Sequence, residues 1–261
     1  MVKDVTKIGI IGAGNLGTQI ALKLKKEQLE IRFIYSKTYE NALILANSVQ
    51  ANPLLNLTEI PYCDLLFLTV PDQQIAVIAK ELEPLKNQWS DTLVVHCSGA
   101  SNIELLSSFH QFGVFYPLQT FTKNKTPDWK EIPIFIEGCN NMVSNRLLKI
   151  AKKFSENIQI LSSEERAKIH CGAVLVSNFF HALAHAALEI SQKSDFQKTY
   201  YPLVNEAIQK LLYHKPEDCL TGPAKRNDVL TLKKHLDLIK NPQIHEVYKL
   251  LSIYIQKNML I

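Results

Sequence analysis

The sequence holds no Cys-x-x-Cys pair: its five cysteines, Cys63, Cys97, Cys139, Cys171 and Cys219, are odd in number and far apart. That spacing argues against a disulfide framework and against a cysteine-based zinc site, and it points to a reducing compartment, the cytoplasm. No charged-then-apolar leader precedes the first strand-like run, and no apolar run is expected to reach the roughly 18 residues that a membrane helix needs. Nor is any stretch dense in one charge. Lys and Arg outnumber Asp and Glu by 29 to 25, a formal +4, and the basic residues are scattered, with "LKLKKE" and "IAKKF" the densest clusters. Such a balance suits a small anionic ligand better than a nucleic-acid track. Internal repeats and low-complexity linkers are missing too.

What remains is ordinary for a globular chain of 261 residues, 46% hydrophobic and 21% charged, with material for one large or two modest domains. Short apolar runs, "IGII", "IRFIY", "DLLFLTV", "TLVVHCS", "GVFYP", "IPIFIE" and "IQIL", read as strands through the first 160 residues. Helical patterns separate the early ones, over Asn15 to Gln28, Tyr39 to Ser48 and Gln73 to Leu82. Alternation of that kind predicts parallel pairing and a doubly wound α/β sheet. From about Ser162 the strands stop and apolar residues recur at helical spacing, broken at Pro202, Pro216, "TGP" and "NP". Ser162 and Glu165 have the spacing of a capping box at a helix start. That helix is expected to run about thirty residues, apolar enough to need cover on more than one side. The boundaries are therefore 1–161 for the α/β domain and 162–261 for a helical one.

Glycine is scarce, nine in all, yet three fall in "IGAGNLG" between the first strand and the first helix. Gly12 permits the tight turn, Gly14 lets a backbone approach a pyrophosphate, and Gly17 allows the helix to pack on the sheet. The free N–H groups at the helix mouth, from Asn15, Leu16 and Gly17, would face the phosphates. This is the pattern of dinucleotide binding, although the glycine turn alone also fits a flavin. At the end of the second strand, where an NAD site places a carboxylate, the sequence reads "FIYSKTYE". Ser36 and Lys37 there favour the 2′-phosphate of NADP; as a bare loop cation, Lys37 would carry no such meaning.

Ligands of open α/β sheets bind outside the carboxyl ends of the strands. "LTVPD" places Thr69, Val70 and Pro71 on that rim, a wall for adenosine. "VHCSGAS" places Ser98 and Gly99 there, near where a nicotinamide would lie, with His96 and Cys97 turned inward. "GVFYPLQTF" adds Tyr116 and Gln119 within reach of a substrate.

Taken with "HCSGA", "GVFYPLQTF", "ERAKIHCGAVLVSNF" and "LTGPAKRND" followed by "KKHL", the glycine turn resembles the NADP oxidoreductases that join a Rossmann-like domain to a C-terminal helical domain of unknown function. The resemblance covers nearly the whole chain. It extends more widely to pyrroline-5-carboxylate reductase, prephenate dehydrogenase, and the 3-hydroxyisobutyrate and 6-phosphogluconate dehydrogenases. It implies a Rossmann-type, mostly parallel sheet followed by an all-helical domain like the C-terminal domain of 6-phosphogluconate dehydrogenase. It also implies NADP(H) as cofactor and a homodimer formed through the helical domain, but no substrate; hydride transfer to or from a small anionic metabolite joins that cofactor to the charge balance.

In that wider group the first long helix of the second domain carries catalytic polar residues. Here the stretch holds Lys168, His170, Ser177 and Asn178. Lys168 and Asn178 are ten apart where the hydroxyacid enzymes have four, so that pair does not transfer. His170 matches the position of the prephenate dehydrogenase histidine and can serve as acid or base near neutral pH, with Ser177 and Asn178 on the same broad face of an unbroken helix. A histidine satisfied within a helical interface is the competing reading. The resemblance further suggests Arg226 as a clamp for a carboxylate or phosphate, against a plain exposed loop arginine. With no catalytic pair transferred, a protein that senses NADP without turning it over is the rival function.

"HALAHAALE" sets His181, His185 and Glu189 on one helical stripe. A single helix rarely presents three convergent ligands, and no metal is assigned.

Overall fold

The computed structural model describes residues 5–192 and 195–258. Contacts divide the chain into two compact units, Met1–Val174 and Leu175–Ile261.

Eight strands form the first unit's sheet: β1 (Lys7–Ile11), β2 (Glu30–Tyr35), β3 (Asn52–Leu54), β4 (Leu65–Leu68), β5 (Leu93–His96), β6 (Gln111–Pro117), β7 (Ile134–Gly138) and β8 (Ile158–Ile160). They lie in the order β3-β2-β1-β4-β5-β6-β7-β8. Every pairing is parallel except that of β6 with β7. The seven expected strands are all present. β3 was not foreseen: it has three residues, one of them Pro53, and sits at the sheet edge, where a proline removes no ladder bond that a neighbour needs.

The central strands are apolar throughout because both faces are covered. On one face lie α1 (Asn15–Lys26) and α2 (Tyr39–Val49), together with α4 (Asn141–Ala151), and Ile20, Leu24, Leu45, Leu147 and Ile150 pack there with Ile10 and Phe67. On the other, α3 (Asp72–Leu82) contributes Ile75, Ile78 and Leu82, which pack with Leu66 and Val94. Strand order reverses beside β1, so β2 and β4 flank it and leave a crevice at its carboxyl end.

After β8 the chain enters α5 (Ser163–Val176), and the capping box is formed. Glu165 Oε2 accepts from the Ser162 N–H at 2.9 Å, and Ser162 Oγ accepts from the Glu165 N–H at 3.3 Å. The expected unbroken helix is interrupted at Ser177, whose φ of −120° and ψ of −72° leave the helical region. Ser and Asn favour caps over helix interiors, and α6 restarts at Asn178. Taken together, Ser163–Ser191 is long and apolar enough to cross a bilayer by length and composition. That overturns the expectation that no run reaches that length: alanines and aromatics keep it apolar despite its histidines.

The second unit is helical among its described residues: α6 (Asn178–Ser191), α7 (Phe196–Thr199), α8 (Tyr201–Leu211), α9 (Pro216–Cys219), α10 (Val229–Leu238) and α11 (Pro242–Asn258). Pro202, Pro216 and Pro242 stand in first turns, where a missing N–H costs nothing. His235 Nδ1 lies 2.6 Å from the Tyr248 hydroxyl and ties α10 to α11, and Asn241 Nδ2 donates to Glu189 on α6 at 2.8 Å. None of α6, α8, α10 and α11 has a buried residue. Large side chains stay open to solvent, Val176 at 79% and Leu230 at 76%.

Candidate functional site

The turn after β1 is locked from within. Gly12 has φ +111°, a conformation that suits glycine, and a Cβ there or at Gly17 would strike the Thr69 hydroxyl. That hydroxyl donates toward the carbonyls of Ile11 and Gly12, at 3.1 and 2.8 Å, pinning the turn to the end of β4. Gly14 differs: a Cβ at this position would meet nothing within 4 Å. It is the N-cap of α1, supplies no capping side chain, and no acid occupies the first turn. The N–H groups of Asn15, Leu16 and Gly17 are thus presented with the positive end of the helix dipole.

Before this mouth opens a cleft of about 700 Å³. Gly12 to Gly14 form one wall, Tyr35, Ser36, Lys37 and Asn41 a second, and Thr69, Val70, Pro71 and Gln74 a third. Lys123 reaches in from the β6–β7 connection, and Glu81 on α3 is the one carboxylate in the lining. An anionic dinucleotide fits this arrangement: clear space over Gly14, uncapped helix N–H groups, and cations at Lys37 and Lys123.

A second cluster forms where β5, β6 and α5 meet. The Tyr116 hydroxyl lies 2.9 Å from Nδ1 of His170, with the ring centroids 5.8 Å apart, edge to face. Gly99 sits beneath both rings. A Cβ on it would lie 2.6 Å from His170 Nδ1 and 2.6 Å from Tyr116 Cζ. Burial, and then the Asp72 carboxylate, push the Tyr116 phenol up to about 12, against the opposing pull of Arg166. The phenol therefore keeps its proton at neutral pH, and it donates to Nδ1 or accepts from Nδ1–H according to the tautomer of the imidazole. Asp72 directly follows Pro71, which joins this cluster to the rim of the cleft.

Ser98 Oγ accepts from the N–H groups of Ala100 and Ser101, at 3.1 and 2.9 Å, so it shapes the turn carrying Gly99. His96 is fully buried; its Nδ1 accepts from the Ser98 N–H at 3.2 Å. Burial and then the Arg166 charge lower its pKa to about 4.

Arg166, on the buried face of α5, was not foreseen. Its guanidinium is fully buried and ion-paired with Glu137 on β7, and it donates to the Ser101 carbonyl at 2.5 Å. The Ser163 N–H and hydroxyl donate to the same carboxylate, at 3.0 and 2.8 Å. These bonds fasten the first turn of α5 to the sheet and to the 98–101 turn. His170 follows one turn later on the same face. In the sequence, "EERAK" reads as a solvated run of mixed charge, and nothing marks its arginine as buried.

Other expected residues stand elsewhere. Gln119 is exposed, its Oε1 accepting from the Thr120 N–H at 2.8 Å, and it lines a separate cleft of about 380 Å³ with Phe121 and Glu131. Ser177 and Asn178 stand at the start of α6, and Arg226 is exposed between α9 and α10, all in the second unit. In the histidine stripe, His181 Nδ1 donates to the Ser177 carbonyl at 2.8 Å and Glu189 is taken up by Asn241. Among the described residues no three side chains converge as metal ligands.

A Rossmann-like domain profile matches residues 2–120, and the domain of unknown function DUF2520 matches residues 132–255. The provisionally assigned NADP oxidoreductase of Bacteroides fragilis is 32% identical, with 99% of this chain and 100% of that one covered and a TM-score of 0.89. A Thermotoga maritima protein of known structure is 23% identical over 97% of this chain and 98% of its own, with a TM-score of 0.74. The pyrroline-5-carboxylate reductase of Coxiella burnetii shares the fold at 13% identity and a TM-score of 0.57, covering 98% of this chain and 99% of that one. Glutamyl-tRNA reductase of Sulfurisphaera tokodaii is 39% identical over 66 residues, 24% of this chain; the match spans 16% of that protein's length.

Proposed function

The chain belongs to the family of NADP oxidoreductases in which a Rossmann-like domain precedes a helical one, and from that premise we propose that it transfers a hydride between NADP(H) and a small anionic metabolite of the 2-oxo acid, hydroxy acid or imine type. The observation that carries this reading is the open, uncapped and acid-free mouth of α1 at Gly14, in a cleft where β2 ends in Ser36 and Lys37. Gly12, Gly14, Asn15, Leu16 and Gly17 hold the diphosphate, and Ser36 and Lys37 the 2′-phosphate. Thr69, Val70 and Pro71 wall the adenosine, and Ser98 and Gly99 serve the nicotinamide side.

NADP(H), when bound, supplies or accepts the hydride. A proton must travel with it, to or from the substrate oxygen or nitrogen. Tyr116 and His170 would move that proton as a relay: the phenol gives its proton to the substrate, Nδ1–H of His170 returns one to the phenol, and Nε2 takes one from solvent, the reverse direction running the same way. Ser98 holds the turn beneath them, and in the second unit Ser177 and Asn178 offer further polar groups. In the second unit, Arg226 offers a fork suited to a substrate carboxylate.

In this reading, 1–161 is the cofactor domain and 162–261 the substrate and dimerisation domain. The exposed apolar faces of α6, α8, α10 and α11 support a homodimer, because such patches on a lone chain call for cover. Five free cysteines support a cytoplasmic setting. The test is a screen of 2-oxo acids, imines and 3-hydroxy acids for change in NADPH absorbance. Turnover lowered about 10²-fold or more by His170→Ala is expected. Turnover unaffected by the substitution would remove His170 from the chemistry.

A further inference from the structure

We infer that Lys123, on the connection between β6 and β7, is a further cofactor-binding residue whose ammonium pairs with the dinucleotide diphosphate, and that the side chain of Gln19 holds it in place. This rests on the nucleotide reading above.

Antiparallel neighbours can be joined by a two-residue turn, yet residues 118–133 intervene between β6 and β7. A connection of that length without its own secondary structure usually has work to do. It is fixed at two points. Trp129, 6% exposed, packs against Phe121 and Phe154 with centroids 5.3 and 5.0 Å apart. Gln19, 1% exposed on α1, aims its amide nitrogen at three carbonyls: Thr122 at 2.6 Å, Lys123 at 3.2 Å and Lys125 at 3.2 Å. A buried amide must find partners, and this one takes them from a segment more than a hundred residues away. The backbone of residues 122–125 is thereby bound to α1, within two turns of Gly14. Lys123 is the residue of this segment that lines the cleft.

Charge argues the same way. A diphosphate carries about two negative charges, whereas a helix N-terminus offers roughly half a positive one. Lys37 stands at the end of β2, where the 2′-phosphate is expected, which leaves Lys123 as the other cation lining the cleft. The two lysines then read different parts of the ligand. The diphosphate is common to NADPH and NADH; the 2′-phosphate belongs to NADPH alone.

Calorimetric Kd values for NADPH, NADH and adenosine 2′-monophosphate separate these roles. Lys123→Ala, an exposed substitution that spares the fold, is expected to weaken NADPH and NADH by the same factor, roughly tenfold, and to leave adenosine 2′-monophosphate within twofold. Gln19→Leu is expected to weaken both dinucleotides as well, and adding it to Lys123→Ala to cost nothing more. If wild type binds NADPH and Lys123→Ala binds both dinucleotides within twofold of it, the inference fails and the nucleotide reading stands. Loss confined to NADPH would move Lys123 to the 2′-phosphate and equally overturn it. Wild type binding neither dinucleotide would overturn the nucleotide reading itself.

Discussion

The Tyr116 hydroxyl stands 2.9 Å from Nδ1 of His170, a pairing made across 54 positions of sequence by a strand end and a helix. Groups that pass a proton between them act as a unit, so their losses do not add. Tyr116→Phe and His170→Ala are each expected to lower kcat by about 10² or more, within the range for general acid–base groups. The double variant should be no worse than the poorer single one. Steady-state kinetics with an NADPH Kd measured in parallel checks this; multiplied losses would mean that the two residues act separately.

Gly99→Ala drives a methyl against both rings of that pair. Since one ring must give way, turnover is expected to fall at least tenfold. The overpacking should also destabilise the fold by roughly 1–3 kcal/mol, read as a lower Tm in scanning calorimetry. An alanine variant with native kcat would show that the rings need not be in register.

Arg166→Met leaves the Glu137 carboxylate facing α5 without its guanidinium. Breaking a buried pair from one side costs about 3–5 kcal/mol, and urea unfolding should report a loss of that order. Arg166→Met combined with Glu137→Gln should recover part of it, because the unpaired charge is gone. No recovery would place the loss in packing rather than charge.

His96 makes stability depend on pH with a predictable sign. Its pKa is lowered from 6.5 to about 4 in the folded chain, so as pH falls the unfolded chain takes up the proton first. Stability is therefore whole above about 6.5 and declines by up to ~1.4 kcal/mol per pH unit until about 4. Asp64 extends the decline below that. Burial would raise its pKa, but hydrogen bonds from the Lys7 N–H, from Thr6 and from Tyr62 outweigh this and hold it at about 2. Urea unfolding at pH 7 and pH 4.5 should show wild type losing about 2 kcal/mol more than His96→Asn. Equal losses would rule out His96 as the source.

Much of this fold could be read from residues in a row, because strands covered on both faces appear as unbroken apolar runs, "DLLFLTV" and "TLVVHCS" among them. The glycine turn and the Ser162–Glu165 cap were equally legible, since their partners lie a few positions away. What escaped was contact over long range. Nothing local announces that Gln19 reaches residues 122–125, that Arg166 lies buried on Glu137, or that His170 meets Tyr116. β3 was too short and carried a proline. The break at Ser177 was hidden by an apolar period that continues on both sides of it.

Isothermal titration of the purified protein with NADPH and with NADH asks the cleft at Gly14 and Lys37 whether it takes NADP(H). NADPH is expected to bind at least tenfold more tightly, with Lys37→Glu erasing or reversing that margin. Equal affinities in wild type, or a margin untouched by the substitution, would mean that Ser36 and Lys37 do not read the 2′-phosphate.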